Sequence, residues 1–231
     1  MAMRRQLVPE MLDALPPGDP RARASRADLR RINALMFNAR IAASLIRAHA
    51  TWPPRDLVDL GCGDGIGALR LARALGPVEG APRLVLLDMQ PVVTEATRQA
   101  LGGLGWRVEV AASDAGRWLA AQPGRIDLVV ANLFLHHFEG AELRTLLDTL
   151  ADRARHVVAT EPLRTPLSYL AARAVGAIGA NAVTRHDAPA SVRAGFHGAE
   201  LTRLWPGEVG FEGRRGPFTH GFAARGLRHD A

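Results

Sequence analysis

The chain contains no lysine: all 29 of its basic residues are arginine, alongside heavy alanine and glycine use. A bias that complete points to genome composition. It discounts the net charge of +6 and the pI near 11 as a nucleic-acid signature. The arginines are scattered in sequence rather than run together, so no basic cluster marks an RNA or DNA face. The single cysteine, Cys62, excludes an internal disulfide and argues against a cysteine-built metal site. No charged-then-apolar leader pattern opens the chain, which makes the cytoplasm the expected compartment. The longest apolar stretch, Leu167–Val183, is interrupted by Arg173 and two glycines, which argues against a membrane span. There is no internal repeat and no low-complexity tail. What remains is 231 residues with 48% hydrophobic content, enough for one core: a single domain with a small cap.

The most informative stretch is Asp56–Gly67, DLVDLGCGDGIG. Leu57, Val58 and Leu60 form the short apolar run of a buried parallel strand. Gly61, Gly63, Gly65 and Gly67 follow at alternate positions, and Ala68, Leu69, Leu71, Ala72 and Leu75 then recur at helical spacing. Strand, glycine turn and helix N-terminus together admit a ligand close to the backbone and offer it free N–H groups. Asp59 sits inside the strand. Asp88 closes the next apolar run, Arg83–Leu87, where a carboxylate is placed to accept both hydroxyls of a ribose. Gly63-x-Gly65-x-x-Ala68 also satisfies the relaxed dinucleotide fingerprint, which keeps a nicotinamide-binding fold as the alternative.

From there strands and helices alternate. Strands are expected at Arg83–Asp88, Arg107–Ala111, Ile126–Ala131 and His156–Thr160, with helices near Pro91–Leu101, Ala115–Ala121 and Ala141–Ala151. Ahead of them, one helix is expected from a Ser25-x-x-Asp28 cap to about His49, after a loop holding Pro16, Pro17 and Pro20. After Glu161 come an apolar helix over Thr165–Ile178, a helix near Ala199–Leu204, and strands near Val209–Arg215 and Phe218–Ala224. The pattern predicts an α/β fold: a doubly wound, mostly parallel seven-stranded sheet with an antiparallel last strand, an N-terminal helical segment and a helical cap. The segments are 1–52 (cover), 53–161 (cofactor core), 162–207 (substrate cap) and 208–231 (strand pair). Such sheets bind ligands at the carboxyl ends of their strands, where this sequence places Gly61–Gly65, Asp88, Ser113-Asp114, Asn132 and Glu161.

The unbroken Asp59–Gly65 string resembles the first motif of the class I S-adenosylmethionine-dependent methyltransferases, and the order of elements resembles them over roughly Asp56–Glu161. The chain is similar to bacterial small-molecule methyltransferases of quinone and polyketide pathways. The resemblance implies S-adenosylmethionine as cofactor and S-adenosylhomocysteine as product. Asp59, Gly61, Gly63 and Gly65 would hold the amino-acid end, Asp88 the ribose, Met89 the adenine face, and Ser113 and Asp114 the adenine amine, with Asn132 at the same site. Asp114 reads equally well as a helix N-cap before Ala115.

The segment NLFLHHF, Asn132–Phe138, follows the fourth strand beside the expected methyl group. Similar methyltransferases carry histidines here, and a histidine of near-neutral pKa can take a hydroxyl proton. His137 is favoured as general base with His136 as its neighbour; a structural role at the turn is the competing reading. No proline follows Asn132, unlike the nucleobase amino-methyltransferases. Asp127 and Glu161 are too poorly grouped to suggest a metal, and none is expected. Arg185, His186 and Phe196 are candidate substrate contacts in a lid over Arg185–Phe196, with His186-Asp187 read as a second candidate base pair or, preferably, a cap. The expected acceptor is a small, mostly apolar molecule bearing a phenol or enol oxygen. No nucleic acid and no membrane span are expected, and a homodimer is left open. The alternatives are a nicotinamide-dependent oxidoreductase, which would lack any Tyr-x-x-x-Lys pair here, and a non-catalytic S-adenosylmethionine-binding protein.

Overall fold

The computed structural model describes residues 3–227; residues 1–2 and 228–231, at the outer edges of the first and last segments, lie outside the described residues. The strands are β1 (Asp56–Leu60), β2 (Arg83–Asp88), β3 (Arg107–Ala112), β4 (Ile126–Asn132), β5 (Ala154–Pro162), β6 (Val209–Arg215) and β7 (Thr219–Arg225). They form one sheet in the order β3-β2-β1-β4-β5-β7-β6. β1 to β5 pair in parallel, and β7 runs antiparallel between β5 and β6. Strand order reverses at β1, between β2 and β4, which opens a ligand crevice above the carboxyl ends of these strands.

Alternation along the strands sorts the core into two layers. Val58, Leu60, Val129 and Ala131 pack on one face with Leu143, Leu147 and Leu150 of α6 (Gly140–Arg153). Leu57, Leu128 and Val130 pack on the other with Leu45 and Ile46 of α2 (Asn38–His49) and Leu69 of α3 (Ile66–Leu75). Each such side chain, fully buried, contributes about 1.5–3 kcal/mol. Asp59 shares the parity of Leu57 and is buried among these residues.

Several boundaries differ from the sequence expectation. The single N-terminal helix is two, α1 (Pro20–Leu35) and α2, broken where Phe37 takes a left-handed φ of 57°. Asp19 caps α1 and Pro20 occupies its first turn, where its missing N–H costs nothing. Ser25 and Asp28 are therefore not a cap. They are buried inside α1, where Asp28 accepts from the Asn181 N–H (2.7 Å) and Thr184 Oγ1 (3.1 Å), and Ser25 Oγ lies 3.0 Å from Thr184 Oγ1. These bonds dock α1 on α8 (Ala182–Ala194). Helix α4 starts at Glu95 behind a Thr94 cap and ends at Gly102, so Pro91 lies outside it. α5 covers Ala115–Ala120. The apolar helix after β5 is α7 (Pro166–Arg173) followed by a 3-10 turn, Ala174–Ile178. The 199–204 segment forms turns rather than a helix. No described helix is long and apolar enough to cross a membrane.

Candidate active site

The loop after β1 is held from below. The Gly61 and Cys62 N–H groups both donate to the Leu87 carbonyl, tying the turn to the end of β2. Gly61 has φ +67°, and a Cβ there would lie 2.5 Å from the Phe134 ring, so neither backbone nor neighbour accepts a side chain. Gly63 also has a positive φ, but its Cβ direction is open, leaving a bare backbone edge on the cavity. Cys62 is buried and burial pushes its thiol pKa up, which suits a small apolar residue rather than a nucleophile.

Asp88 turns back onto this loop. Its Oδ2 accepts from the Gly63 N–H (2.8 Å) and its Oδ1 from the Gln90 N–H (2.8 Å), which fixes the carboxylate at the strand tip. Asp59 is buried with no ion pair among the described residues. Burial, reinforced by the Asp88 charge, raises its pKa to about 7. A buried carboxylate so raised is poised to receive a cation. At the tip of β4, Asn132 Oδ1 accepts from Thr160 Oγ1 (2.9 Å), and its Nδ2 lies 3.6 Å from where a Cβ on Gly67 would stand. Asp114 Oδ1 caps α5 by accepting from the Arg117 N–H (2.8 Å).

Asp59, Gly61, Gly63, Asp88, Met89, Ser113, Asp114 and Asn132 all line one cavity of about 830 Å³, and His136 and His137 line it too. Gly65 stands just behind, capping α3. Three further sequence candidates fall outside it. Phe196 is buried in the core beneath the Arg5 guanidinium, while Arg185 and His186 are exposed on α8. Asp187 is no cap for α8 either, lying mid-helix. Its carboxylate accepts from the Met11 (2.8 Å) and Leu12 (3.0 Å) N–H groups, with His186 Nδ1 also 2.8 Å away. The apolar walls come instead from Leu29, Ile32 and Met36 of α1 and from Ala172, Val175 and Val192 behind β5.

The two histidines occupy a 3-10 turn, Leu135–His137, directly after β4. Glu161, wholly buried at the end of β5, accepts from the Phe134 (3.0 Å) and Leu135 (2.8 Å) N–H groups and lies 2.7 Å from His136 Nδ1. The other ring nitrogen of His136 is 3.6 Å from Glu10. Burial alone would depress the His136 pKa, but the hydrogen bonds and charges of Glu10 and Glu161 lift it to about 9. Glu10 is correspondingly held below its usual value despite burial, with Ser191 as a further hydrogen-bond partner. His137 is half-buried, with Nδ1 3.5 Å from Asp13.

Sequence reasoning missed Glu10 altogether. It lies 126 positions before His136 in a stretch with no periodicity, and it reaches the site because the strap over residues 3–15 is pinned down. Arg5 donates to the Ala194 and Phe138 carbonyls (both 2.7 Å). Glu10, His136 and His137 also place one ligand atom each within 4.8 Å of one another, a spacing compatible with a metal ion. The Glu10–His136 ion pair satisfies two of those atoms without one.

Residues 57–157 match a family model described as "Methyltransferase domain". No curated protein sequence matches the chain. Among solved structures, the plantazolicin methyltransferase BpumL in complex with SAH is 13% identical with a TM-score of 0.62, over 91% of this chain and 92% of that one. An O-methyltransferase family protein from Burkholderia thailandensis is 20% identical with a TM-score of 0.59, over 90% of this chain. The pyocyanin biosynthetic protein PhzM is 21% identical with a TM-score of 0.58, over 91% of this chain. The chain spans about three fifths of each of these last two, 61% and 60%. The fold of this chain is thus the fold of these methyltransferase structures, and the segment that matches the family model, residues 57–157, runs from β1 into β5.

Proposed function

We propose that this chain is an S-adenosylmethionine-dependent methyltransferase that methylates an ionisable oxygen, a phenol or enol, on a small and largely apolar acceptor, with His136 as the general base. One observation carries the reading: His136 Nδ1 is 2.7 Å from the buried Glu161, while the same side chain lines the cavity. A carboxylate behind one ring nitrogen fixes tautomer and orientation, leaving the other nitrogen to meet the acceptor. This moves the base from His137, favoured on sequence, to its neighbour. His137 has only the exposed Asp13 behind it.

When bound, the cofactor supplies an electrophilic methyl group on a sulfonium; the chain's own residues bind, orient and manage one proton. Asp59 and the Gly61–Gly65 loop would receive the amino-acid end, with Asn132 beside them. Asp88 would receive the ribose hydroxyls, and Met89, Ser113 and Asp114 the adenine. Asp59 fits that task because it is a buried carboxylate with no ion pair among the described residues.

In the resting site Glu10 faces the outer nitrogen of His136 and keeps the ring protonated. An acceptor oxygen arriving there displaces the carboxylate. The pKa then falls, the Nε2 proton leaves to solvent with the displaced Glu10 carboxylate, and the neutral ring takes the hydroxyl proton at Nε2 while Glu161 accepts from Nδ1–H. The apolar walls from α1, α7 and α8 suit a ring or chain around that oxygen. That one of the similar structures is an O-methyltransferase family protein supports oxygen as the target. The cytoplasm is the compartment this reading assumes.

The test is a pair of variants assayed with phenols and enols. His136→Ala is expected to lower kcat by roughly 10²- to 10⁴-fold while cofactor affinity stays within about twofold. His137→Ala is expected to lose far less. A His136→Ala enzyme with full turnover overturns the assignment.

A further inference from the structure

The described residues hold eight exposed large apolar side chains, and five of them lie on or beside α1, α7 and the 3-10 turn, elements that wall the cavity. Leu35 and Phe37 close the C-terminal end of α1, Leu167 and Leu170 lie on α7, and Ile178 ends the 3-10 turn behind it. All five are between 53% and 67% exposed. Leu35 and Ile178 line the cavity itself. Leu167 and Leu170 alternate along α7 with the cavity-lining Ser168, Ala171 and Ala172. The apolar rim therefore continues the apolar walls outward to solvent.

Charge on the same elements is one-sided. α1, α7, the 3-10 turn and α8 carry eight arginines (21, 23, 26, 30, 31, 173, 185 and 193) and only two acids. Both acids, Asp28 and Asp187, are buried. Six of the arginines are exposed; Arg21, Arg30 and Arg31 pair with Asp19, Asp64 and Asp28, while Arg23, Arg173 and Arg185 make no ion pair among the described residues. Arg26 and Arg30 line the cavity with Leu35 and Ile178, as does the exposed Asp13, and the Arg185 stem lies beside Gly176 of the 3-10 turn.

We infer that this cap docks on an anionic lipid bilayer, with the rim leucines, Phe37 and Ile178 entering the headgroup boundary and the arginines facing lipid phosphates. Exposed aliphatic side chains on elements that carry unpaired guanidinium groups are the chemistry of an interfacial contact. A nucleic-acid face would need stacking platforms, and Phe37 is the sole aromatic in the rim. The proposal rests on the apolar acceptor read above. It supplies that acceptor's route, from the bilayer into the cavity without crossing water.

Co-sedimentation of the full chain with vesicles tests it without any turnover, so failure here and failure of the methyl-transfer reading are separable. Binding is expected to phosphatidylcholine vesicles containing phosphatidylglycerol, weaker to phosphatidylcholine alone, and reduced by salt. The double variant Leu167→Glu/Leu170→Glu is expected to lower the bound fraction by about fivefold or more. Its calorimetric S-adenosylmethionine affinity should be unchanged, which shows that it is folded. Val110→Glu, on exposed β3, is the control expected to bind vesicles normally. Absence of vesicle binding, or binding undiminished in the double variant, overturns the proposal. Salt-sensitive binding of an oligonucleotide without vesicle binding would overturn it in favour of a nucleic-acid face.

Discussion

His136 and Glu161 are joined at 2.7 Å in a pocket where the carboxylate is fully buried and already accepts two backbone N–H groups. Such a carboxylate has no freedom to rotate, so it dictates the ring plane of the histidine. Glu161→Gln keeps the shape but offers one acceptor oxygen where two are used. The expected outcome is a fall in kcat of roughly 10²-fold or more with KM for the cofactor little changed. Steady-state kinetics with both substrates checks it, and an unchanged kcat would remove Glu161 from the mechanism.

The same pair makes stability depend on pH in a defined window. The His136 pKa is raised from its ordinary 6.5 to about 9 in the fold. The folded state therefore binds a proton more tightly than the unfolded chain, and that stability is fully present below pH 6.5 and lost as pH rises through about 9. Thermal melts across this range should show Tm falling in the native chain and a flatter profile in His136→Gln. Glu10→Gln removes one of the two carboxylates, so the acid limb of its pH–rate profile should move to lower pH. A limb that stays in place would show that Glu10 does not hold the proton on the ring.

Asp59 predicts a pH dependence of the opposite kind for ligand binding. Its folded pKa of about 7 lies above the usual 3.8, so the unliganded protein loses stability as pH rises from about 4 to 7. A cationic ligand favours the ionised carboxylate. Affinity for S-adenosylmethionine should therefore rise with pH and level off above about 7. Asp59→Asn should flatten that dependence, weaken binding, and stabilise the unliganded protein at pH 8. Calorimetric titration at three pH values checks all three outcomes.

Much of this site was legible in the sequence because it sits at strand ends, where chain order alone fixes position. Gly61, Asp88, Asp114 and Asn132 each follow or close an apolar run, and Asp59 lies inside one. The parallel register that pairs Leu57 with Leu84 and Leu128 brings their tips together. The substrate side was not legible. Composition alone places Arg185, His186 and Phe196, in a segment without strand register; α8 turns the first two outward, and Phe196, just past its end, is buried in the core. The break at Phe37 left no sequence mark, since nothing announces a left-handed phenylalanine. Glu10 was invisible for a similar reason. Its position depends on Arg5 and Asp187 anchoring the strap, contacts between residues more than 170 apart.

The glycine loop offers a test that separates folding from binding, because Gly61 and Gly63 differ in what surrounds them. At both, alanine must adopt a left-handed φ, which costs roughly 1–2 kcal/mol. At Gly61 the added methyl also meets the Phe134 ring at 2.5 Å, so Phe134 must move from its edge contact with Phe138. Gly61→Ala should therefore lower Tm and disturb the His136 turn as well as the cofactor site. At Gly63 no heavy atom lies within 4 Å, and the methyl projects into space on the cavity side. Gly63→Ala should fold with only the backbone penalty yet lose about tenfold or more in cofactor affinity, since the ligand must approach this backbone edge closely. Paired melting and titration experiments decide the point. Equal affinity losses accompanied by equal Tm losses would mean that the loop is structural and that the ligand lies elsewhere in the cavity.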